Sequence, residues 1–221
     1  MLITLDQISC YLGSKIESNK DIESLVGWSS ADVLKKTGIK TRYISTREET
    51  AEFLALKAAR RINKEKIADC DLIVSVSNTQ SNDFPTIAHY VHSELNLDRR
   101  IKCIGINAGC TGFVDAIELV YSLFSTGFYS KAAIINADTY SKFLNNERST
   151  RTLFSDGAIV TIVSHDSNGF KIKNKISSSA VGTYENLIKG DFGSERLIKM
   201  NGPKVLQFAM SFVQSDLLKL I

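Results

Sequence analysis

The stretch INAGCTGF, residues 106–113, places a cysteine among small residues directly after an apolar run. The run, IKCIGINA at 101–108, is typical of a buried strand because apolar residues occupy both of its faces. After it, apolar residues recur at helical spacing, at Phe113, Ala116, Ile117, Val120 and Phe124. Gly127 ends that pattern. The sequence therefore predicts a strand, a tight turn and a helix that Cys110 opens.

Local physical chemistry allows two interpretations of Cys110. A thiol at a helix N-terminus meets the positive end of the helix dipole and free backbone N–H groups, which favour a thiolate or an oxyanion. Small neighbours leave room for an acyl chain to reach the sulfur. The alternative is a small residue that fills a tight strand–helix junction. The other cysteines, Cys10, Cys70 and Cys103, lack this setting and are interpreted as core or surface residues.

In the rest of the sequence, short apolar runs alternate with helical patterns. Helices are predicted from Thr50 onward, over 85–97 and from Cys110. This alternation predicts an α/β fold with a mixed, largely covered sheet. A further strand is predicted at about 170–180, a polar loop at 182–198, and an amphipathic helix to the end of the chain. The main predicted strands are 71–77, 101–108, 131–138 and 157–164.

Composition excludes several classes of function. The chain has 221 residues, 43% of them hydrophobic, which suffices for one large domain or two small ones. A net charge of +3 is too small to indicate nucleic-acid binding. The basic pairs at 60–61 and 99–100 are interpreted as solvated surface, or as a contact for an acidic partner. Cysteines and histidines lack zinc-site spacing, so no metal is expected. Without a signal peptide or an apolar span, a cytoplasmic protein with reduced thiols is expected.

Five stretches, in order, resemble one family. INAGCTGFVDAIELVYSLFSTGFYSKAAIINADTYSK at 106–142 looks like the nucleophile segment of β-ketoacyl-acyl-carrier-protein synthase III, of the thiolase-like superfamily. The resemblance covers essentially the whole chain. The other four stretches are KKTGIKTRYISTREET at 35–50, NDFPTIAHYVHSELNL at 82–97, ERSTRTLFSDGAIVTIV at 147–163 and MNGPKVLQFA at 200–209.

The resemblance implies a fold and a reaction. The fold is thiolase-like, a mixed sheet with helices on both faces, with a first half at 1–168 and the beginning of the second half at 169–221. Cys110 is the implied nucleophile: it takes an acyl group from a coenzyme A thioester, and the carbanion from decarboxylating malonyl-carrier protein then attacks the acyl-enzyme. Covalent capture divides the condensation into two half-reactions. No cofactor is expected, and acyl carrier protein, acyl-coenzyme A and a second copy of the chain are the implied partners.

Further binding residues follow from the resemblance. Phe84 matches a phenylalanine that lines the acyl pocket of the other subunit of a dimer; the alternative is a core aromatic. Arg148 matches an arginine that packs on the adenine of coenzyme A. Lys36 and Thr37 match residues near the phosphates of the coenzyme, although exposed basic residues are often only solvated. Asp156, in FSDGA, is expected to shape a turn.

Two departures from the family pattern stand out. The family's usual tryptophan opposite the arginine falls at Asp32, which cannot stack on adenine and would repel phosphates. Trp28 lies four residues earlier, and the register does not favour it as the substitute. The hypothesis that follows is weak binding of coenzyme A, or an acyl-carrier donor, in a specialised relative.

The second departure concerns the residues that stabilise the enolate. The family's histidine and asparagine lie beyond the matched region, and His89, His92 and His165 are interpreted as surface or core residues. A truncated chain that does not catalyse condensation by itself is therefore expected. Two alternatives stay open: acyl transfer to a hydroxyl or amine without decarboxylation, and a non-catalytic half that pairs with an intact synthase through the strand near 101–108.

Overall fold

Strands supply the framework of the computed structural model, which describes residues 1–193 and 195–220. Most of them are short apolar runs with β-branched residues, the composition that favours pleated, buried backbone. Numbered in chain order, they are β1 Ile3–Leu12, β2 Lys15–Ser18, β3 Thr41–Ile44, β4 Leu72–Val76, β5 Lys102–Ile106, β6 Lys131–Asp138, β7 Gly157–His165, β8 Leu187–Phe192 and β9 Glu195–Met200.

Helices fill most of the connections, and several begin at residues that cap them. Ser29 and Thr50, for example, accept hydrogen bonds from the backbone N–H groups of Asp32 and Phe53. A π-helical turn, Ala209–Val213, joins the last two helices. In chain order the helices are α1 Asn19–Val26, α2 Ser30–Thr37, α3 Ala51–Ala59, α4 Lys64–Ala68, α5 Ile87–Glu94, α6 Gly112–Phe124, α7 Arg148–Arg151, α8 Gly202–Phe208 and α9 Gln214–Leu220.

Five strands form one mixed sheet in the order β1-β7-β6-β4-β5. β4 runs parallel to both β5 and β6, whereas β7 is antiparallel to β6 and β1. Because parallel strands end at the same edge of a sheet, the carboxyl ends of β4, β5 and β6 lie together. The prediction of a mixed α/β sheet is confirmed.

Both faces of this sheet are covered, as its apolar strands require. Successive side chains of a strand point to opposite faces. Leu72, Val74 and Val76 of β4 pack in one cluster with Ala116, Val120 and Phe124 of α6. Ile73 packs in the other cluster with residues of α3 and α5. Each fully buried aliphatic side chain contributes about 1.5–3 kcal/mol to folding, so the two clusters fix α6 against the sheet.

Contacts divide the chain into two units. The first comprises Met1–Ile16, Tyr43–Tyr140 and Ser155–Lys171, and it contains the five-stranded sheet. The second comprises Glu17–Arg42, Ser141–Phe154 and the chain from Ile172 onward, and it contains the β8–β9 hairpin. The halves predicted at 1–168 and 169–221 refer to the resemblance, and they stay a prediction.

The sequence predictions for the last fifty residues need correction. A strand at 170–180 is wrong: Phe170 makes one isolated bridge to Ile3, and the residues after it have no neighbouring strand to supply hydrogen bonds. The loop predicted at 182–198 is also wrong, because β8 and β9 pair there as an antiparallel hairpin. Gly193, at the turn, has a φ of 70°, a conformation that glycine adopts without strain. The closing helix is observed as α8, the π-helical turn and α9; Ile221 lies outside the described residues.

The turn predicted at Asp156 is not observed, because residues 154–156 lead directly into β7. Asp156 is buried, its carboxylate accepts a hydrogen bond from the Ser45 N–H at 2.7 Å, and its own N–H donates to the Tyr43 carbonyl at 2.7 Å. β7 begins at the next residue, Gly157. Asp156 therefore ties the segment after β3 to the start of β7.

Crossing a membrane requires a long apolar helix. Throughout residues 1–193 and 195–220, none of the helices combines the necessary length with the necessary apolar character.

Candidate active site

Cys110 lies in the turn between β5 and α6, and its side chain is exposed. The sequence predicted that Cys110 opens the helix, but α6 begins two residues later, at Gly112. The reason is a hydrogen bond from the Gly112 N–H to the Gly109 carbonyl at 3.0 Å, which closes a turn around Cys110 first. The thiol is therefore presented on a tight turn that leads into the helix N-terminus.

Tight packing fixes the start of α6 against the sheet. A Cβ atom placed on Gly112 would lie 2.4 Å from Cγ1 of Val76, at the carboxyl end of β4. Both residues are buried. The position of the cysteine turn is thus set by a contact that only glycine permits.

Alanine at position 112 should therefore destabilise the protein. We expect Gly112→Ala to lower the free energy of unfolding by about 1–3 kcal/mol, the usual cost of overpacking, as measured by urea denaturation. Gly190→Ala is the control, because a Cβ there meets nothing within 4 Å. Equal stability of the two variants would contradict the tight contact.

A polar cluster surrounds the strand ends beside this turn. The carboxylate of Asp138, the last residue of β6, accepts hydrogen bonds from the Asn78 N–H and the Thr79 hydroxyl, each at 2.8 Å. The Asn78 amide donates to the Tyr140 hydroxyl at 2.9 Å. None of these residues was among those predicted from the sequence. Polar side chains that directly follow neighbouring parallel strands are the signal that could have found them.

Phe84 lies in the loop between β4 and α5, and 84% of its surface is exposed. This exposure contradicts the alternative interpretation of Phe84 as a core aromatic. Behind the loop, a Cβ on Gly105 of β5 would lie 2.1 Å from Cγ2 of Thr86, so the loop is seated closely on the strand. The role of Phe84 in the pocket of another subunit stays a prediction.

A second group of predicted residues meets at the Trp28 ring. The guanidinium carbon of Arg148 lies 5.3 Å from the ring centroid, and Nζ of Lys36 lies 4.9 Å from it. Arg148 is held there because its Nε donates to the Val26 carbonyl at 2.6 Å. Trp28 therefore faces Arg148, although the register did not favour it as the substitute for the family's tryptophan. The roles of Arg148 and Lys36 in binding coenzyme A stay a prediction.

The side chains of Asp32 and Thr37, at the two ends of α2, both form hydrogen bonds with residues of α2 or its N-cap. The Ser29 hydroxyl donates to the Asp32 carboxylate at 2.6 Å, and this hydrogen bond holds the pKa of Asp32 below its usual value. The Thr37 hydroxyl donates to the Val33 carbonyl at 2.8 Å. The proximity of Thr37 to a phosphate therefore stays a prediction.

The remaining cysteines and histidines agree with their interpretation as core or surface residues. Cys70 is buried, and burial raises its pKa to about 12, whereas Cys10 is exposed on β1. His89 and His165 are exposed, and His92 contacts the Asp98 carbonyl at 2.9 Å. Among the described residues, no three His, Cys, Asp or Glu side chains come together as metal ligands.

The predicted site residues fall in both units. Cys110 and Phe84 belong to the first, with the polar cluster of Asn78, Asp138 and Tyr140. The second unit holds the residues at the Trp28 ring, which are Lys36 and Arg148, together with Thr37.

Known proteins similar to this chain belong to one family of synthases. The family model described as 3-oxoacyl-[acyl-carrier-protein] synthase III matches residues 104–184, a range that includes Cys110. The β-ketoacyl-[acyl-carrier-protein] synthase III of Neorickettsia sennetsu is 32% identical over 206 residues. That match covers 91% of this chain and 65% of the relative. The corresponding protein of Rickettsia akari is 33% identical, with 97% of this chain and 71% of the relative covered.

Solved structures show the same fold. A 2.1 Å crystal structure of a 3-oxoacyl-(acyl-carrier-protein) synthase III has a TM-score of 0.88 and 27% identity, and it covers 100% of this chain and 74% of its own. The synthase III of Aquifex aeolicus has a TM-score of 0.84 and 27% identity, covering 93% of this chain and 67% of its own. The prediction of a thiolase-like fold is confirmed. The chain spans about two thirds of the length of these relatives, 65% for the Neorickettsia protein.

Proposed function

Because the chain belongs to the 3-oxoacyl-[acyl-carrier-protein] synthase III family, we propose that it is an acyltransferase whose nucleophile is Cys110. The observation that carries the proposal is the exposed thiol of Cys110 on the turn into α6, within the range that the family model matches. The thiolate attacks the carbonyl carbon of an acyl thioester. The carbon–sulfur bond to the donor breaks, the donor thiol leaves with a proton, and the acyl group stays on Cys110.

We further propose that the acyl group on Cys110 is destined for condensation with malonyl on an acyl carrier protein, a step that this chain by itself is not expected to catalyse without the family's histidine and asparagine. Loss of carbon dioxide from the malonyl group leaves a carbanion, which attacks the acyl carbonyl on Cys110. The carbon–sulfur bond to Cys110 then breaks, and the sulfur leaves as the thiolate that began the cycle. The product is a β-ketoacyl thioester. An acyl chain that leaves Cys110 for a hydroxyl or an amine, without carbon dioxide, would instead support the non-decarboxylating alternative.

Intact-mass spectrometry after mixing the chain with acyl thioesters tests the first half-reaction. We expect the protein mass to rise by the mass of one acyl group, from acetyl-coenzyme A or from acyl-carrier donors, and peptide mapping to place it on Cys110. A folded sample that gains no acyl group, or gains it elsewhere, would contradict the proposed function.

For the donor, we propose that the adenine of coenzyme A packs against the pair formed by Trp28 and Arg148. Guanidinium and indole planes both stack well on flat aromatic rings. Lys36, at the same ring, adds a positive charge that suits the phosphates of the coenzyme. The Asp32 carboxylate is hydrogen-bonded to Ser29 at the start of α2, so it does not occupy the face of the Trp28 ring in this proposal.

Tryptophan fluorescence can measure this binding directly, because Trp28 is the only tryptophan in the sequence. We expect adenosine 3′,5′-bisphosphate and coenzyme A to quench the fluorescence, and pantetheine, which lacks the nucleotide, not to. Arg148→Ala should weaken nucleotide binding about tenfold by removing one stacking partner. The control is Arg99→Ala, which changes an exposed arginine in the first unit. Equal quenching by pantetheine, or an unchanged affinity in Arg148→Ala, would contradict the nucleotide site.

We also propose a cytoplasmic homodimer that uses no cofactor beyond its thioester substrates. The support for the dimer is the position of β5 as the last strand of the sheet order, where strand addition by a second copy would continue the sheet. Acyl carrier protein is the proposed second partner. Sedimentation velocity of the purified chain tests the dimer, and a monomer at micromolar concentration would contradict it.

A further inference from the structure

Asp138 organises the polar cluster at the carboxyl ends of β4 and β6. Its Oδ1 accepts hydrogen bonds from the Asn78 N–H at 2.8 Å, the Thr79 hydroxyl at 2.8 Å and the Ser77 hydroxyl at 3.3 Å. The Thr79 oxygen in turn accepts from the Thr139 N–H at 2.8 Å. One carboxylate therefore fixes the three residues that follow β4 relative to the end of β6.

Tyr140 extends this arrangement to the side chain of Asn78. The Tyr140 hydroxyl donates to the Asp138 carboxylate and accepts from Nδ2 of Asn78 at 2.9 Å. Since a hydroxyl has one proton and Asp138 receives it, Asn78 must present its NH₂ group to Tyr140. Its Oδ1 is buried and has no hydrogen-bond partner among the described residues. The orientation of the Asn78 amide is thus set by Asp138 through Tyr140.

The arrangement reaches the residue before Cys110. A Cβ placed on Gly109 would lie 3.9 Å from Nδ2 of Asn78, so the amide packs against the turn that presents the thiol. Tyr140 stays protonated, because burial first, and then the charge of Asp138, raise its pKa to about 12.

We propose that Asp138 and Tyr140 are positioning residues for Cys110, which act through Asn78 on the Gly109–Cys110 turn. The consequence for acyl transfer rests on the proposed function: a thiol held in one orientation meets the thioester carbonyl productively more often. Small displacements of reacting groups can cost about a hundredfold in rate. The coupling of Asp138 and Tyr140 to the thiol is a property of the folded chain and can be measured without any acyl donor.

The experiment measures alkylation of Cys110 by iodoacetamide against pH, followed by peptide mass spectrometry. Asp138→Asn removes a negative charge from the polar cluster beside the Gly109–Cys110 turn, and we expect the pH midpoint of alkylation to fall by about half a unit. Tyr140→Phe keeps the ring but removes the hydroxyl that partly neutralises Asp138, and we expect the midpoint to rise. Asp115, in the first turn of α6, is the other carboxylate beside this turn, and it accepts a hydrogen bond from the Thr111 hydroxyl at 2.8 Å. Because none of the variants changes Asp115, its charge does not contribute to the differences in midpoint.

Asp71→Asn is the matched control. Asp71 precedes β4 at the opposite end of the strand, and its carboxylate also joins two segments, accepting from the Ser130 N–H at 2.8 Å and the Ser130 hydroxyl at 3.1 Å. The variant makes the same change of charge away from the cysteine turn, so we expect it to leave the midpoint unchanged. A purely structural role of Asp138 would lower the melting temperature without moving the midpoint.

Acylation by a thioester provides the second measurement. We expect Tyr140→Phe to slow acylation of Cys110 at least about tenfold, while its melting temperature stays near that of the parent chain. Midpoints in Asp138→Asn and Tyr140→Phe equal to the parent midpoint would overturn the proposal. If the midpoints move but the parent chain takes no acyl group, the proposed function fails and the coupling of Asp138 and Tyr140 to the thiol stands.

Discussion

Serine in place of Cys110 should abolish the acyl adduct that the parent chain forms with acyl thioesters. A cysteine thiol is already partly ionised near neutral pH and is an intrinsically strong nucleophile, whereas a serine hydroxyl is a weak nucleophile unless an adjacent base activates it. The substitution changes one atom on an exposed turn, so the fold should be retained. The measurement is intact mass after a fixed time of reaction with acetyl and longer acyl thioesters.

Cys10→Ser is the matched control for this experiment, because Cys10 is the other exposed cysteine. Its thiol lies within strand β1 and not on a turn that leads into a helix. We expect Cys10→Ser to be acylated like the parent chain. Acylation that persists in Cys110→Ser and disappears in Cys10→Ser would identify Cys110 as a residue that only fills the strand–helix junction.

Alanine in place of Glu17 should lower the free energy of unfolding by about 3–5 kcal/mol, the usual cost of breaking a buried ion pair. Glu17, on β2, is buried and pairs with two guanidinium groups, those of Arg42 and Arg151. Arg42 is fully buried, and its other nitrogens donate to the Thr152 carbonyl at 3.1 Å and the Asn19 side chain at 3.0 Å. Burial lowers the pKa of Arg42, and Glu17 partly offsets that effect. Without Glu17, two positive charges would face each other with no counter-charge from this residue.

Urea denaturation measures this loss, and Glu94→Ala is the control. Glu94 pairs with Arg60 at 3.8 Å, but both side chains are about half exposed. A surface pair of this kind contributes at most about 1 kcal/mol. Glu17→Gln should fall between the two, because it retains a hydrogen-bond acceptor but not the charge. A loss in Glu17→Ala no larger than that in Glu94→Ala would show that the buried arginines find other partners.

The contact between Trp28 and Arg148 could not be predicted from the sequence. Matching the motif put the aromatic position at residue 32, and counting along the chain offered no reason to choose residue 28 instead. In the structure, Gly27 ends α1 with a φ of 65° and Ser29 caps α2, so Trp28 lies in the short link between two helices. The link directs its ring to Arg148, 120 positions further along the chain. Only the tertiary structure could show that Trp28 faces Arg148.

Two features, the strand at 131–138 and the turn at Cys110, could be predicted from the sequence because they depend on nearby residues. Runs such as 131–138 are strands because apolar residues on both faces require a covered sheet, and β6 has those bounds. The turn that carries Cys110 follows from small residues between an apolar run and a helical pattern. These features depend on neighbours within a few residues, which the order of amino acids states directly.

Tertiary structure decided the rest, because the interactions involved join distant parts of the chain. A loop was predicted where the structure has the β8–β9 hairpin, because each strand is stabilised by its pairing with the other. Asp138 reaches Asn78 across 60 residues, through two strands that run parallel in one sheet. The hydrogen bonds of a buried carboxylate depend on which strand ends meet, and strand order is a property of the packed sheet. The sequence therefore predicted Cys110 as the nucleophile, and the folded chain showed which polar groups lie beside its turn.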